Sequence, residues 1–156
     1  MPSDADRSIP TATAPLELCR TGDVDMDNQH LRILVGLQRF AESLRGPFPL
    51  QTLGARLKQL ETLVLDHFQD EEAMLQRIQY PHLAAHQAEH ESLIELCHEL
   101  LDQFSSPESP PLVELPERLL VLFDRHIQGV DMDYAHFLAA QAEEDVEELP
   151  PMTSEG

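Results

Sequence analysis

The strongest constraint on this chain is a run of eight positions, Leu53, Leu57, Leu60, Val64, His67, Glu71, Met74 and Ile78, separated by alternating steps of four and three residues. That spacing returns to one face of an α-helix, so the run predicts a long helix with a continuous inward stripe. The stripe is apolar for two heptads and then carries an imidazole and a carboxylate. A carboxylate in such a seam is costly unless it is paired or bound to a cation. Downstream, His86 and His90 repeat the four-residue step between His67 and Glu71. On a helix that step puts both side chains on one face, one above the other. Two such pairs on neighbouring helices aim four ligand-type side chains at one place inside a bundle.

The rest of the chain supplies the neighbours. A first helix starts near Asp25 or Asp27, either of which is a suitable cap, and runs through His30, Leu34, Leu37, Ala41 and Leu44 before Gly46-Pro47-Phe48-Pro49 ends it. Tyr80-Pro81 separates the second helix from a third, with Pro81 suited to the third helix's start and an inward stripe of Leu83, His86, His90, Leu93, Cys97, Leu101 and Phe104. Ser105 to Pro111 forms a proline- and serine-rich connector. A last helix runs from about Leu112 or Pro116 to about Ala142, with Leu115, Leu119, Leu122 and His126 facing inward. Trp is absent and aromatics make up 5%, and β-branched runs are scarce, all of which favour helix over sheet. With 156 residues the chain forms one domain. The fold expected is all-α: an up-down-up-down four-helix bundle over residues 25–142, with an N-terminal arm (1–24) and an acidic C-terminal tail (143–156).

A net charge of −19 argues against nucleic acid and anionic lipid as partners, because phosphate repels such a surface. No apolar stretch approaches the roughly 20 residues needed to span a bilayer, and the N-terminus lacks a signal-peptide layout. The expectation is therefore a cytoplasmic protein. Cys19 and Cys97 lack a CxxC spacing and read as inert, buried thiols.

In an up-down-up-down bundle the start of the first helix, the end of the second, the start of the third and the end of the fourth share one end. His30, His67 with Glu71, His86 with His90, and His126 follow that order. A single histidine on an apolar stripe is usually a hydrogen-bonded core residue, but that account fails for five of them gathered with a glutamate. Asp131 lies five residues after His126, roughly 140° round a regular helix and off the stripe. It is either a surface residue or the product of a bulge, for which Gly129 makes room. His98 and His136 fall off the stripes, and Asp70 and Glu72 read as solvated. Phe68 and Met74 read as core filling. His82 shares the stripe of His86 and His90 but belongs to the first turn. Imidazole with carboxylate suits iron, zinc or copper, and without thiolates an iron–sulfur cluster is excluded. The donors exceed what one tetrahedral zinc takes, which argues for two metals.

The segments Asp27-Asn28-Gln29-His30, His67-Phe68 through Glu71-Glu72 and Met74, Tyr80-Pro81 with His86 and His90, and His126-Ile127 through Asp131 and Tyr134 together resemble the hemerythrin family, specifically the bacterial hemerythrins, over residues 25–140. The absence of Trp, the proline-rich arm and connector, and the acidic tail depart from that pattern. The resemblance implies two non-haem iron ions: His86, His90 and His126 would hold one, His30 and His67 the other. Glu71 and Asp131 would bridge them together with an oxo or hydroxo group, leaving one coordination position open for dioxygen. Leu34, Ile127 and Val130 are candidates for the apolar lining of that position. The function expected is reversible dioxygen binding for storage, delivery or sensing, without enzymatic turnover. The alternatives are a di-iron enzyme that reduces peroxide or nitric oxide or oxidises iron, and an oxygen- or iron-responsive module with a protein partner. A histidine-rich ligand set, unlike the carboxylate-rich Glu-x-x-His sites of ferritin-like proteins, places little negative charge on the irons and favours binding over oxygen activation.

Overall fold

The structure, a computed structural model, describes residues 20–106 and 114–147. Five helices follow one another: α1 (Val24–Ser43), α2 (Leu50–Arg77), α3 (Leu83–Ser105), α4 (Glu114–His126) and α5 (Met132–Glu147), with a π-helical turn, Ile127–Asp131, joining the last two. Residues 1–19 of the expected arm, among them Cys19, the prolines of the connector and the end of the acidic tail lie outside the described residues, and Val24, expected in the arm, already belongs to α1. Among the described residues no helix is long and apolar enough to cross a membrane.

Local chemistry sets the ends. Asp23, two residues earlier than expected, caps α1: its backbone is extended and its carboxylate accepts from the amides of Asp25 and Met26. Asp25 is left in the first turn, where the helix dipole favours it. Asp27 instead accepts from both the amide and the hydroxyl of Thr21, each at 2.8 Å, and so ties the incoming segment to the bundle. At the end of α2, Gln79 takes a left-handed conformation with φ 55°, and the Tyr80 amide donates back to the Leu75 carbonyl at 3.0 Å. This closure satisfies the last carbonyls of the helix. Pro81 lies in the turn, and α3 opens two residues after it.

These tight connections make successive helices antiparallel. α1 packs between α2 and α4, and α3 closes the ring against both, giving the up-down-up-down four-helix bundle, with the fourth leg made of α4, the π turn and α5. Two apolar clusters fill it. The larger contains Ile33, Leu37, Leu57, Val64, Leu93, Leu100, Leu119 and Phe123; the smaller contains Met26, Met74, Leu75, Tyr80 and Tyr134. Leu100 and Phe123 are fully buried while Leu101 and Leu122 are only partly so, a shift of one position from the expected stripes. A helix turns about 20° per heptad away from a strict seven-residue repeat, so the inward position drifts to a neighbour. The last helix also runs beyond Ala142, to Glu147, as an exposed end.

Candidate metal centre

On every leg the polar positions lie between the two apolar clusters. His30 follows Met26 and precedes Ile33; His67 and Glu71 follow Val64 and precede Met74; His86 and His90 precede Leu93; His126 and Asp131 precede Tyr134. The fourth leg reaches this layer through its π turn. A turn widened by one residue stacks positions five apart, which brings Asp131 onto the face of His126. Asp131 is completely buried, so of the two readings left open by spacing the bulge is the one the fold adopts.

All seven residues, His30, His67, Glu71, His86, His90, His126 and Asp131, are at most 4% exposed. The five imidazoles each turn Nε2 toward the two carboxylates. Glu71 Oε1 lies 2.6 Å from His86 and 3.2 Å from His90, whereas Oε2 lies 3.4 Å from His30 and 3.5 Å from His67. Asp131 divides in the same sense: Oδ1 is 3.0 Å from His126 and 3.4 Å from His86, and Oδ2 is 3.0 Å from His30. The donor atoms thus fall into two groups, each within 4.8 Å of one another: His86, His90 and His126 with both carboxylates, and His30 and His67 with the same two.

Of these imidazole–carboxylate contacts only His86 Nε2 to Glu71 Oε1 has hydrogen-bond geometry. Among the described residues nine buried side-chain nitrogens and oxygens have no hydrogen-bond partner, and every one belongs to this set. They include Nε2 of His30, His67, His90 and His126 and both oxygens of Asp131. At about 1–3 kcal/mol for each unsatisfied buried group, nine would cost as much as a domain's whole stability of about 5–15 kcal/mol. Imidazole nitrogens and carboxylate oxygens converging in a dry layer fit divalent cations, and the imidazole–carboxylate mix suits iron, zinc or copper.

Burial disfavours the charged form of each group, and the neighbours decide the outcome. Burial opposes protonation of His30, but attraction to Asp131 and Glu71 outweighs it and holds the imidazole up to about 9. His67 goes the other way: burial, with repulsion from His30 and His90, pushes it down to about 4 despite the carboxylates. Burial alone would raise Glu71 and Asp131, yet the surrounding histidines hold both carboxyls below their usual range. The two carboxylates are therefore ionised and ready to accept metal.

A ring of supporting groups surrounds the ligands. His67 Nδ1 meets Gln29 Oε1 at 2.8 Å, and His90 Nδ1 meets Glu72 Oε1 at 2.8 Å. Glu72 was expected in solvent; it is half-buried, because one step beyond Glu71 turns it toward α3. Tyr134, wholly buried, donates its hydroxyl to Glu71 Oε2 at 3.0 Å. Burial, then the negative charges of Glu71 and Asp131, push that phenol far up, so it remains a donor. Phe68 does more than fill the core: its ring stacks on His90 at 3.8 Å and also borders His67, His126 and Phe123. These partners lie across helix boundaries, which periodicity along one helix does not reveal.

The remaining expectations divide. Leu34 and Ile127 are buried in the larger apolar cluster beside this layer, whereas Val130 is half-buried in a surface groove with Glu89, Leu93 and Asp133. His82 is exposed at the cap position of α3, its ring against Tyr80, and contributes no donor to either group. His98 and His136 are exposed, and Asp70 is exposed while accepting from Gln29 at 2.9 Å. Cys97 is buried, and burial pushes its thiol up to about 12, as suits an inert side chain.

Comparisons with known proteins bear on the family and the fold. Residues 21–138 match the family model described as the hemerythrin HHE cation binding domain. A bacteriohemerythrin from Methylococcus capsulatus is 32% identical over 88 residues, covering 56% of this chain and 67% of that protein. A crystal structure of wild-type hemerythrin superposes with a TM-score of 0.71 at 26% identity, over 80% of this chain and 95% of the other. A crystal structure of a point mutant gives the same figures.

Proposed function

The chain belongs to the hemerythrin family of non-haem iron, oxygen-binding proteins, and on that premise we propose that it holds two irons and binds dioxygen reversibly. The observation that carries this reading is the division of the carboxylate oxygens. Glu71 and Asp131 each turn one oxygen toward the three-histidine group and the other toward the two-histidine group. One metal would be held by His86, His90 and His126, a second by His30 and His67, with both carboxylates shared between them. Bound there in the reduced state, iron would supply the electrons that dioxygen capture draws on.

The protein's own residues do the rest. Glu71 and Asp131 set the spacing of the two positions, and the Tyr134 hydroxyl keeps Glu71 from rotating away. The two-histidine position has one fewer protein ligand, so that is where a small molecule has room to bind. Phe68 and Phe123, with ring centroids 5.6 and 6.3 Å from that of His67, also border His126 of the other group, so they cover the layer as a whole from the larger apolar cluster, and Leu34 lies on the inner face of α1 one turn beyond His30. A dry, apolar surround favours an uncharged diatomic over water and hinders loss of charged species. Among the described residues no acid–base side chain stands free in the layer to drive turnover, which favours the binder over the peroxide- or nitric-oxide-reducing alternative.

The test is optical. The iron-loaded, anaerobically reduced protein is expected to be colourless, to gain a charge-transfer band in the visible on exposure to dioxygen, and to lose it under vacuum. Conversion to a stable oxidised spectrum that vacuum does not reverse, or continued oxygen consumption with a reductant, would replace the binder reading with the enzymatic one.

A further inference from the structure

We propose that Gln29 and Glu72 are positioning residues that make the two metal positions electronically unequal, an inference that rests on the two-iron reading above. Each lies beside a ligand in sequence, Gln29 before His30 and Glu72 after Glu71, yet each reaches to a histidine of another helix. Gln29 on α1 meets His67 of α2, and Glu72 on α2 meets His90 of α3, both at 2.8 Å through Nδ1. Among the described residues the Nδ1 atoms of His30, His86 and His126 have no such partner. One histidine in each metal group is therefore singled out.

The hydrogen-bond partners fix which nitrogen carries the proton. The Gln29 amide nitrogen donates to Asp70 Oδ2 at 2.9 Å, and a carboxylate only accepts, so the amide oxygen is the end that faces His67. His67 Nδ1 must then be the donor, which leaves Nε2 bare and aimed at Glu71. Glu72 also only accepts, so His90 Nδ1 donates to it and Nε2 is the nitrogen that faces Glu71 and the metal position. Glu72 is steadied in turn by the side-chain amide of Gln87, which donates to Oε2 at 3.0 Å. Both histidines are thus set in the metal-binding tautomer by groups that touch no metal.

The two acceptors differ in kind. An imidazole that donates to a carboxylate gains electron density at its other nitrogen; one that donates to a neutral amide gains much less. The carboxylate stands behind the three-histidine position and the amide behind the two-histidine position. The first position is thereby biased toward the higher oxidation state and the second toward the lower, at the place where a small molecule has room to enter.

Exchanging the two chemistries tests this. Glu72→Gln keeps the shape and an acceptor oxygen but removes the charge; Gln29→Glu adds a charge in a groove lined by Asp25, Asp70, Arg32 and Arg77, and is made together with Asp70→Asn so that the new carboxylate keeps a donor where Gln29 now donates to Asp70. Both full-length variants are loaded with iron, their midpoint potentials are measured by optical titration, and their iron affinities by chelator competition. Glu72→Gln is expected to raise the potential and weaken iron binding about tenfold, and Gln29→Glu to lower the potential. Two irons per chain with unchanged potentials in both variants, or shifts of the same sign, would overturn the proposal. Should Glu72→Gln fail to fold, Gln29→Glu alone decides by the sign of its shift. A wild-type chain that takes up fewer than two irons would instead defeat the two-iron reading, a separate failure visible before any variant is made.

Discussion

His30 carries a proton that a metal must displace. Attraction to Asp131 and Glu71 outweighs burial and holds its imidazole up to about 9, whereas burial leaves His67 at about 4 and already neutral. Below about pH 9 metal loading therefore releases a proton from His30, and affinity falls about tenfold for each unit of pH lowered, for one displaced proton. Chelator competition at pH 6.5, 7.5 and 8.5 is expected to show that slope; a flat profile would mean that His30 is not displaced. In the metal-free protein the sign reverses. Its raised value makes His30 stabilise the fold fully below its unfolded value of 6.5, and that contribution is lost as pH rises through about 9. At this scale the sequence was legible where chemistry broke a pattern: His67 and Glu71 interrupt an apolar stripe, and a buried carboxylate demands a partner. Gln29, Glu72 and Tyr134 break no pattern, and their partners lie on other helices, so only the fold reveals what they touch.

The element that departs most from regularity is the π turn at Ile127–Asp131. Five-residue spacing between His126 and Asp131 was ambiguous because a regular helix and a widened one place Asp131 on different faces. Gly129 suggested a bulge, but it is not what holds one. A Cβ added there would meet nothing within 4 Å, and its φ is not in the left-handed region. The turn is held by the burial of Asp131 and its attraction to His126 and His30. Gly129→Ala is accordingly expected to keep two irons per chain and to gain up to about 1 kcal/mol from helix propensity, read as a slightly higher melting temperature. Loss of iron in this variant would assign the turn to glycine after all. The stripes of α1 and α2 were readable because their steps are uniform; the caps were less so, since Asp23, Asp25 and Asp27 are all chemically fit to cap and only the backbone at Asp23 selects it.

Across the whole molecule, four legs deliver polar residues to one layer and apolar residues to either side of it. The four-helix, all-α architecture followed from the period of the apolar positions and the proline-marked turns, and the end-by-end order of the histidines followed from the topology. That layer is costly without cations: nine buried atoms lack partners. Metal binding and folding are consequently coupled. The iron-loaded protein is expected to melt well above the metal-free one, by roughly 10 °C if loading contributes about 4 kcal/mol. Equal melting temperatures would mean that the layer is satisfied by something other than metal.

The most direct test of the two-metal centre is a crystal structure of the iron-loaded chain with anomalous scattering recorded at the iron edge. Two anomalous peaks are expected, one among His86, His90 and His126 and one between His30 and His67, with a Glu71 oxygen and an Asp131 oxygen at each. A single peak, or two peaks that do not share both carboxylates, would contradict the account.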